Sequence, residues 1–192
     1  MDKDVTLLIA HPDDEALWCW PVLDRVKKIV CVSDDSNNPE RVWCKDRGVC
    51  LQEVGALLGA QVVCEHYSSE FYRLPTRDGS LKRLAEVMIK HLADAETIFS
   101  HNAHGEYGHL DHILCHHIAR IAQSRTGCDL LWSDIAQEVN WLPVKAWQDG
   151  ILLDLDCHID MPLFERIKAI YDSRGCWTWS HPPVTRCAVY YL

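Results

Sequence analysis

The chain has 192 residues, 48% of them hydrophobic, and carries 28 acidic against 19 basic side chains for a formal net charge of -9. The length suits a single domain with a sizeable core. The acidic balance, with no dense Lys/Arg block, argues against a nucleic-acid binder or a membrane binder relying on basic patches. No apolar run approaches the roughly 18 residues of a membrane span, and the start "MDKDV" does not read as a leader, so the expected setting is cytoplasmic. The ten cysteines are scattered without a C-x-x-C pair. In a reducing compartment they are expected to be reduced core thiols.

Taken in chain order, apolar runs alternate with segments of helical length. "VTLLIA" (5–10) reads as a buried strand, followed by a helix over 14–28 kinked at Pro21. "IVCVS" (29–33) is the second strand, leading into a polar loop at 34–43. A helix over 40–59 ends on Gly59, a plausible stop. "QVVCEHY" (61–67) is a third strand, and "SSEFYRLPTRDGS" a long loop. The helix after it is expected to start at Ser80 as N-cap, with Leu81, Leu84, Val87, Met88 and Leu92 on one stripe.

A fourth strand at 97–101 precedes a His-rich stretch and a helix over 111–124; a fifth strand is expected at 129–133. "WLPVKAW" (141–147), "ILLDL" (151–155) and "CAVYYL" (187–192) read as further strands, the first and last at edges or antiparallel. A helix over 160–173 has Asp160 as N-cap and Pro162 in its first turn. This alternation predicts a single α/β domain spanning 1–192, with a Rossmann-like, mostly parallel sheet and helices on both faces.

In an open sheet of that kind, ligands bind outside the C-terminal strand ends. The first strand ends in His11, Pro12, Asp13, Asp14 and Glu15. The fourth ends in "SHNAHGEYGHLDHILCHH", which holds six of the eleven histidines. Histidine and carboxylate donors from two strand ends suit a divalent metal with one position left open. His11 and Asp14, three apart, can reach one ion from a tight turn, and the Asp111–His112 region offers a third ligand. Asp13 would then stand beside the ion as a carboxylate able to act as general base. The alternative is that Asp13, Asp14 and Glu15 merely favour a helix N-terminus and the histidines form a solvated loop.

The motifs "AHPDDE" (10–15) and "EYGHLDH" (106–112), about a hundred residues apart, resemble those of the PIG-L/LmbE-like zinc-dependent N-acetylglucosaminyl deacetylases. The resemblance implies a metal-dependent hydrolase that removes an N-acetyl group from an amino sugar or its conjugate. It implies His11, Asp14 and His112 as ligands to Zn2+, with Fe2+ or Co2+ also able to bind, and Asp13 as general base. His109 would stabilise the tetrahedral intermediate or protonate the leaving amine, Tyr107 would assist at the oxyanion, and Asp111 would orient a neighbouring histidine.

Some positions depart from the family pattern. Arg47 is kept and is expected either to contact substrate or to be a solvated helix residue, but Cys50 stands where Glu is usual. Asp34 and Asp35 replace a T-x-G-E-type loop and should give a pocket of different character. Arg174 replaces a Gln. His101 or His104 is expected to line the pocket, whereas His116 and His117 are expected on a helix surface. Trp141, Trp177 and Trp179 are candidate sugar-stacking residues. The rival readings are a hydrolase of another small-molecule amide on the same site, a non-haem iron oxygenase built on a His/His/carboxylate triad and a non-catalytic metal-binding protein; oligomeric state is left open.

Overall fold

Strand β1 (Val5–Ile9) is buried at every position. Leu7 and Ile9 point into one half of the core, and Leu8 and Ala10 into the other, as period-2 alternation in a strand covered on both faces requires. Each such aliphatic side chain contributes roughly 1.5–3 kcal/mol on burial. The computed structural model describes residues 3–36, 38, 45–134 and 150–192. The expected strand at 141–147, Trp141 and the start of the second expected helix lie outside the described residues.

Around β1 the chain forms a seven-stranded sheet in the order β3-β2-β1-β4-β5-β7-β6. The other strands are β2 (Val26–Ser33), β3 (Gln61–Tyr67), β4 (Thr97–Ser100), β5 (Asp129–Asp134), β6 (Ile151–His158) and β7 (Arg186–Tyr191). β1 to β5 are parallel; Leu7 lies opposite Ile29 of β2 on one side and Phe99 of β4 on the other. β7 runs antiparallel to β5, and β6 antiparallel to β7.

Helices cover both faces. α1 (Asp14–Leu17), α2 (Arg47–Leu58) and α6 (Met161–Asp172) belong to one layer, with Leu17, Leu51, Val54, Phe164 and Ile167 in its core. α3 (Ser80–His91) and α5 (Leu110–Thr126) belong to the other, with Leu84, Met88, Cys115 and Ile118. A single turn, α4 (Gly105–Gly108), precedes α5. Among the described residues no helix is long and apolar enough to cross a membrane, and Cys19, Cys31, Cys50, Cys115 and Cys128 are buried thiols.

Three local expectations are corrected. The expected helix over 14–28 is one turn of α1 followed by a 3-10 segment at Trp20–Arg25 with Pro21 in its first turn. Residues Val26 and Lys28 join β2 instead, because they pair with Val5 and Thr6 of β1. Ser80 is the first residue of α3 rather than its cap; Gly79 precedes it at φ 77°, and Asp78 Oδ1 accepts the Ser80 N–H at 2.9 Å. Asp160 does cap α6 as expected, accepting from Leu163 N at 3.0 Å.

After β3 the chain crosses back past β1 to β4, so successive strands add to opposite sides of β1. The crevice at the C-terminal ends of β1 and β4 is therefore the switch point of the sheet, where such folds bind ligands. Both motifs emerge there.

Candidate active site

The turn after β1 is bent sharply. Asp13 has φ 96°, in the left-handed region, a conformation that costs a non-glycine residue of order 1–3 kcal/mol and needs support from its surroundings. The support comes from α1 and α6: the Asp13 N–H donates to Glu15 Oε2 at 3.0 Å and to Tyr171 Oη at 3.1 Å. Tyr171 in turn donates to Glu15 Oε1 at 2.7 Å. Burial pushes the Glu15 carboxyl up to about 8.

That bend aims the Asp13 carboxylate into the crevice. Arg47 Nη2 donates to its Oδ1 at 2.8 Å and also to the Pro12 carbonyl; Thr178 donates its hydroxyl to Oδ2 at 2.5 Å. Burial, reinforced by the Asp14 charge, raises the Asp13 pKa against the opposing pull of Arg47. Arg47 is 3% exposed, so it is not a solvated helix arginine.

Asp14 points the other way, toward the histidines. Its Oδ2 accepts the His11 N–H at 2.8 Å and its Oδ1 the Trp18 indole N–H at 3.0 Å. His11 Nδ1 lies 3.6 Å from Oδ2, and His112 Nε2 lies 3.5 Å from Oδ1. Burial would raise the Asp14 pKa, but the neighbouring His112 and His101 hold it well below the usual carboxylate range.

Each of these two histidines is fixed by a carboxylate behind it. His11 Nε2–H donates to Asp111 Oδ2 at 3.1 Å, which leaves its Nδ1 on the Asp14 side. Asp111 also accepts the Glu70 and Tyr72 N–H groups, at 2.7 and 3.0 Å, tying the segment after β3 to the site. His112 Nδ1–H donates to Glu106 Oε2 at 2.7 Å, so its Nε2 carries a lone pair. That buried atom has no hydrogen-bond partner, and it faces a carboxylate oxygen. Two electron-rich atoms in contact within a buried site suit a cation between them. The donor set passes this test of fit for a divalent metal. Around this point two sets of three have ligand atoms within 4.8 Å of one another, His11 with His109 and His112, and Asp14 with His101 and His112; His112 is common to both, and His11 and Asp14 belong to one each.

His109 caps α5. Its Nδ1 accepts the Asp111 N–H at 3.3 Å, which leaves Nε2 as the protonated nitrogen. Burial, then the proximity of His112 and His11, brings its pKa down to about 4. The Tyr107 ring packs edge-on to His109 and His112, both at 5.7 Å between centroids, and burial raises its hydroxyl pKa. A cleft of about 280 Å³ runs over this surface. Its walls include His11, Asp13, Asp14, Arg47, Tyr107, His109, Trp18, Thr178 and Trp179.

The structure thus brings together all eight residues singled out from the sequence, with Asp111 and His112 just beneath the cleft. Other expectations need correction. Neither His101 nor His104 lines the cleft. His101 is completely buried, accepting the Ala10 N–H at Nε2 and donating from Nδ1 to Glu106. His116 is not on a helix surface: it is 1% exposed, and its Nδ1–H donates to the His101 carbonyl at 2.8 Å. His117 is exposed, as expected. Trp177 packs on Phe164 and Tyr171, away from the cleft. Arg174 forms a surface pair with Glu53, and Cys50 is buried against Ile170 O. Asp34 and Asp35 are buried beside the cleft but not in its wall.

Residues missed from the sequence are Glu106, Thr178 and the Glu15–Tyr171 pair. Glu106 accepts from Asn102 N as well as from His101 and His112. Burial works against its charge, but the two histidines prevail and bring its pKa down to about 2. Its signal was present in the second motif, six residues before His112. Thr178 had none, since it belongs to no motif.

A mostly parallel α/β sheet thus carries, at its switch point, a histidine–carboxylate cluster able to hold a divalent metal. The chain belongs to the PIG-L: GlcNAc-PI de-N-acetylase family, whose model matches residues 6–123. No curated protein matches it significantly. Among solved structures it is similar to the A40926 pseudoaglycone deacetylase Dbv21, with 15% identity and a TM-score of 0.65 over 92% of this chain and 83% of that one. It is also similar to the zinc-inhibited form of the teicoplanin deacetylase Orf2, with 12% identity and a TM-score of 0.67 over 97% of each chain. A third similar structure is GalB, the 4-carboxy-2-hydroxymuconate hydratase from Pseudomonas putida KT2440. It shares 16% identity, with a TM-score of 0.56 over 98% of this chain and 96% of that one. The likeness to these structures is one of fold, and a fold can host different reactions.

Proposed function

We propose that this chain hydrolyses the N-acetyl group of an amino-sugar conjugate, with Zn2+ held by Asp14, His11 Nδ1 and His112 Nε2. The observation that carries the proposal is the unpartnered Nε2 of buried His112, facing Asp14 beside the raised carboxylate of Asp13. When bound, the cation would lower the pKa of a water and polarise the acyl oxygen.

The chain's own groups do the rest. Asp13, held at one oxygen by Arg47 and at the other by Thr178, takes a proton from the water as its oxygen bonds to the acyl carbon. A raised pKa makes it a better base than an ordinary aspartate. His109, protonated at Nε2, donates a hydrogen bond to the acyl oxygen as that atom gains charge, and Tyr107, packed edge-on against the His109 ring, adds a second donor. Asp13 then returns its proton to the nitrogen as the C–N bond breaks, releasing acetate and the free amine. Asp111 positions His11, and Glu106 positions His112. Arg47 chiefly positions Asp13, with substrate contact available where it forms the cleft wall. Trp18 and Trp179, edge-on at 5.1 Å, offer an apolar wall on which a sugar ring can pack.

Similar structures include a deacetylase in complex with teicoplanin and the A40926 pseudoaglycone deacetylase, so acylated sugar conjugates are the first substrates to try. The test is acetate release from a panel of N-acetylated amino sugars and their conjugates, comparing the zinc-loaded chain with Asp13→Asn. Release by the wild type that the variant lacks supports the proposal. Equal release by both, or none from any acetylated amino sugar, would sink it.

A further inference from the structure

A second set of metal-type donors lies at the neighbouring strand ends. β2 ends at Ser33 and is followed by Asp34, while the edge strand β3 carries Cys64 and His66 where its register against β2 shifts. One ligand atom from each of Asp34, Cys64 and His66 lies within 4.8 Å of the others. His66 Nδ1 is 2.8 Å from Asp34 Oδ2. None of the three lines the catalytic cleft.

Three features set this cluster apart from a chance grouping. Asp34 is 2% exposed; its Oδ1 accepts the Ser36 N–H at 3.0 Å and its Oδ2 faces the His66 ring, and among the described residues no Lys or Arg forms an ion pair with it. A carboxylate taken out of water needs countercharge. Gly48 of α2 sits against it, and a Cβ there would lie 2.6 Å from Asp34 Oδ2. Gly48 does not have a positive φ, so packing beside the carboxylate, not backbone conformation, calls for glycine. The His66 side chain is 63% exposed, which gives an ion a path from solvent.

We propose that Asp34, Cys64 and His66 form a second divalent-metal site suited to zinc. Carboxylate, thiolate and imidazole are the three zinc donor types, and a tetrahedral ion would keep its fourth position toward solvent. The thiolate selects against magnesium and calcium, which take oxygen donors. The site adjoins the cleft through one residue: Asp35 accepts the Ser69 N–H at 2.8 Å, and Ser69 lines the cleft.

The thiolate provides the test, because the catalytic cluster offers only nitrogen and oxygen donors. The full chain, stripped with a chelator, is titrated with Co2+ and followed in the near ultraviolet for thiolate-to-cobalt charge transfer. The wild type should show the band, and both Cys64→Ser and His66→Ala should lose it while binding one zinc equivalent fewer. Cys64→Ser is nearly isosteric and His66 is exposed, so both variants should keep the fold. A wild type without the band, or a band persisting in either variant, overturns the proposal.

Discussion

Thr178 donates its hydroxyl to Oδ2 of Asp13 across 165 residues of chain. Arg47 occupies the other carboxylate oxygen, so the proposed base is fixed from both sides by groups belonging to α2 and to the segment after α6. Removing the hydroxyl should free the carboxylate to rotate. Thr178 is itself exposed, so the expected loss for Thr178→Val is about 1.5 kcal/mol, the low end for a hydrogen bond to a charged group. That corresponds to roughly a tenfold fall in kcat, with KM little changed, and Thr178→Ser should restore it. An equal loss in the serine variant would show that the methyl packing matters, not the hydrogen bond.

Arg47→Ala has a different signature. It leaves the Asp13 carboxylate buried without its cation, a change that typically costs about 3–5 kcal/mol. Urea unfolding should therefore show a large drop in midpoint, with Arg47→Lys retaining part of the stability. A drop under about 1 kcal/mol would mean that the pair behaves like a surface salt bridge.

Glu106 acts through His112. Its carboxylate holds Nδ1–H and so keeps the Nε2 lone pair toward Asp14. Loss of such an outer carboxylate commonly weakens metal binding by about 10–100-fold. Competition against a chromophoric chelator should find this for Glu106→Gln, with secondary structure unchanged by circular dichroism. Unaltered affinity would remove Glu106 from the metal account.

Much of this was legible in the sequence because it is local. The buried alternation of β1 and the apolar stripe of α3 set elements and faces, and "AHPDDE" and "EYGHLDH" fall at strand ends that the alternation itself locates. What was not legible depends on distant partners. Thr178 and Tyr171 reach Asp13 only after α6 has packed against α1 and α2, and neither carries a local pattern. The expected helix over 14–28 runs too far because Val26 and Lys28 pair with β1, and a strand ladder outweighs helical spacing. His116 is expected on a helix surface but is buried. Its spacing told otherwise, since His112, Cys115, His116 and Ala119 share the buried face of α5.

His116 also gives the fold a pH dependence. Burial lowers its pKa to about 4, against the partial opposition of its bond to the His101 carbonyl. The unfolded chain, with a histidine near 6.5, therefore binds more protons than the folded chain between those values. Stability should be full above about pH 6.5 and fall as pH drops toward 4, by up to about 3 kcal/mol from this group. Denaturant titrations at several pH values should show that slope in the wild type and a shallower one in His116→Gln. Identical slopes would assign the effect to other groups.

The most direct test of the central claim is turnover against metal occupancy. The wild type and His112→Ala would be stripped with a chelator, then assayed for acetate release from the best acetylated amino-sugar conjugate as zinc is restored. If Asp14, His11 and His112 hold the ion that hydrolysis needs, stripping abolishes release, and zinc restores it in the wild type but not in the variant. Release that survives stripping, or that zinc restores equally in His112→Ala, would contradict it.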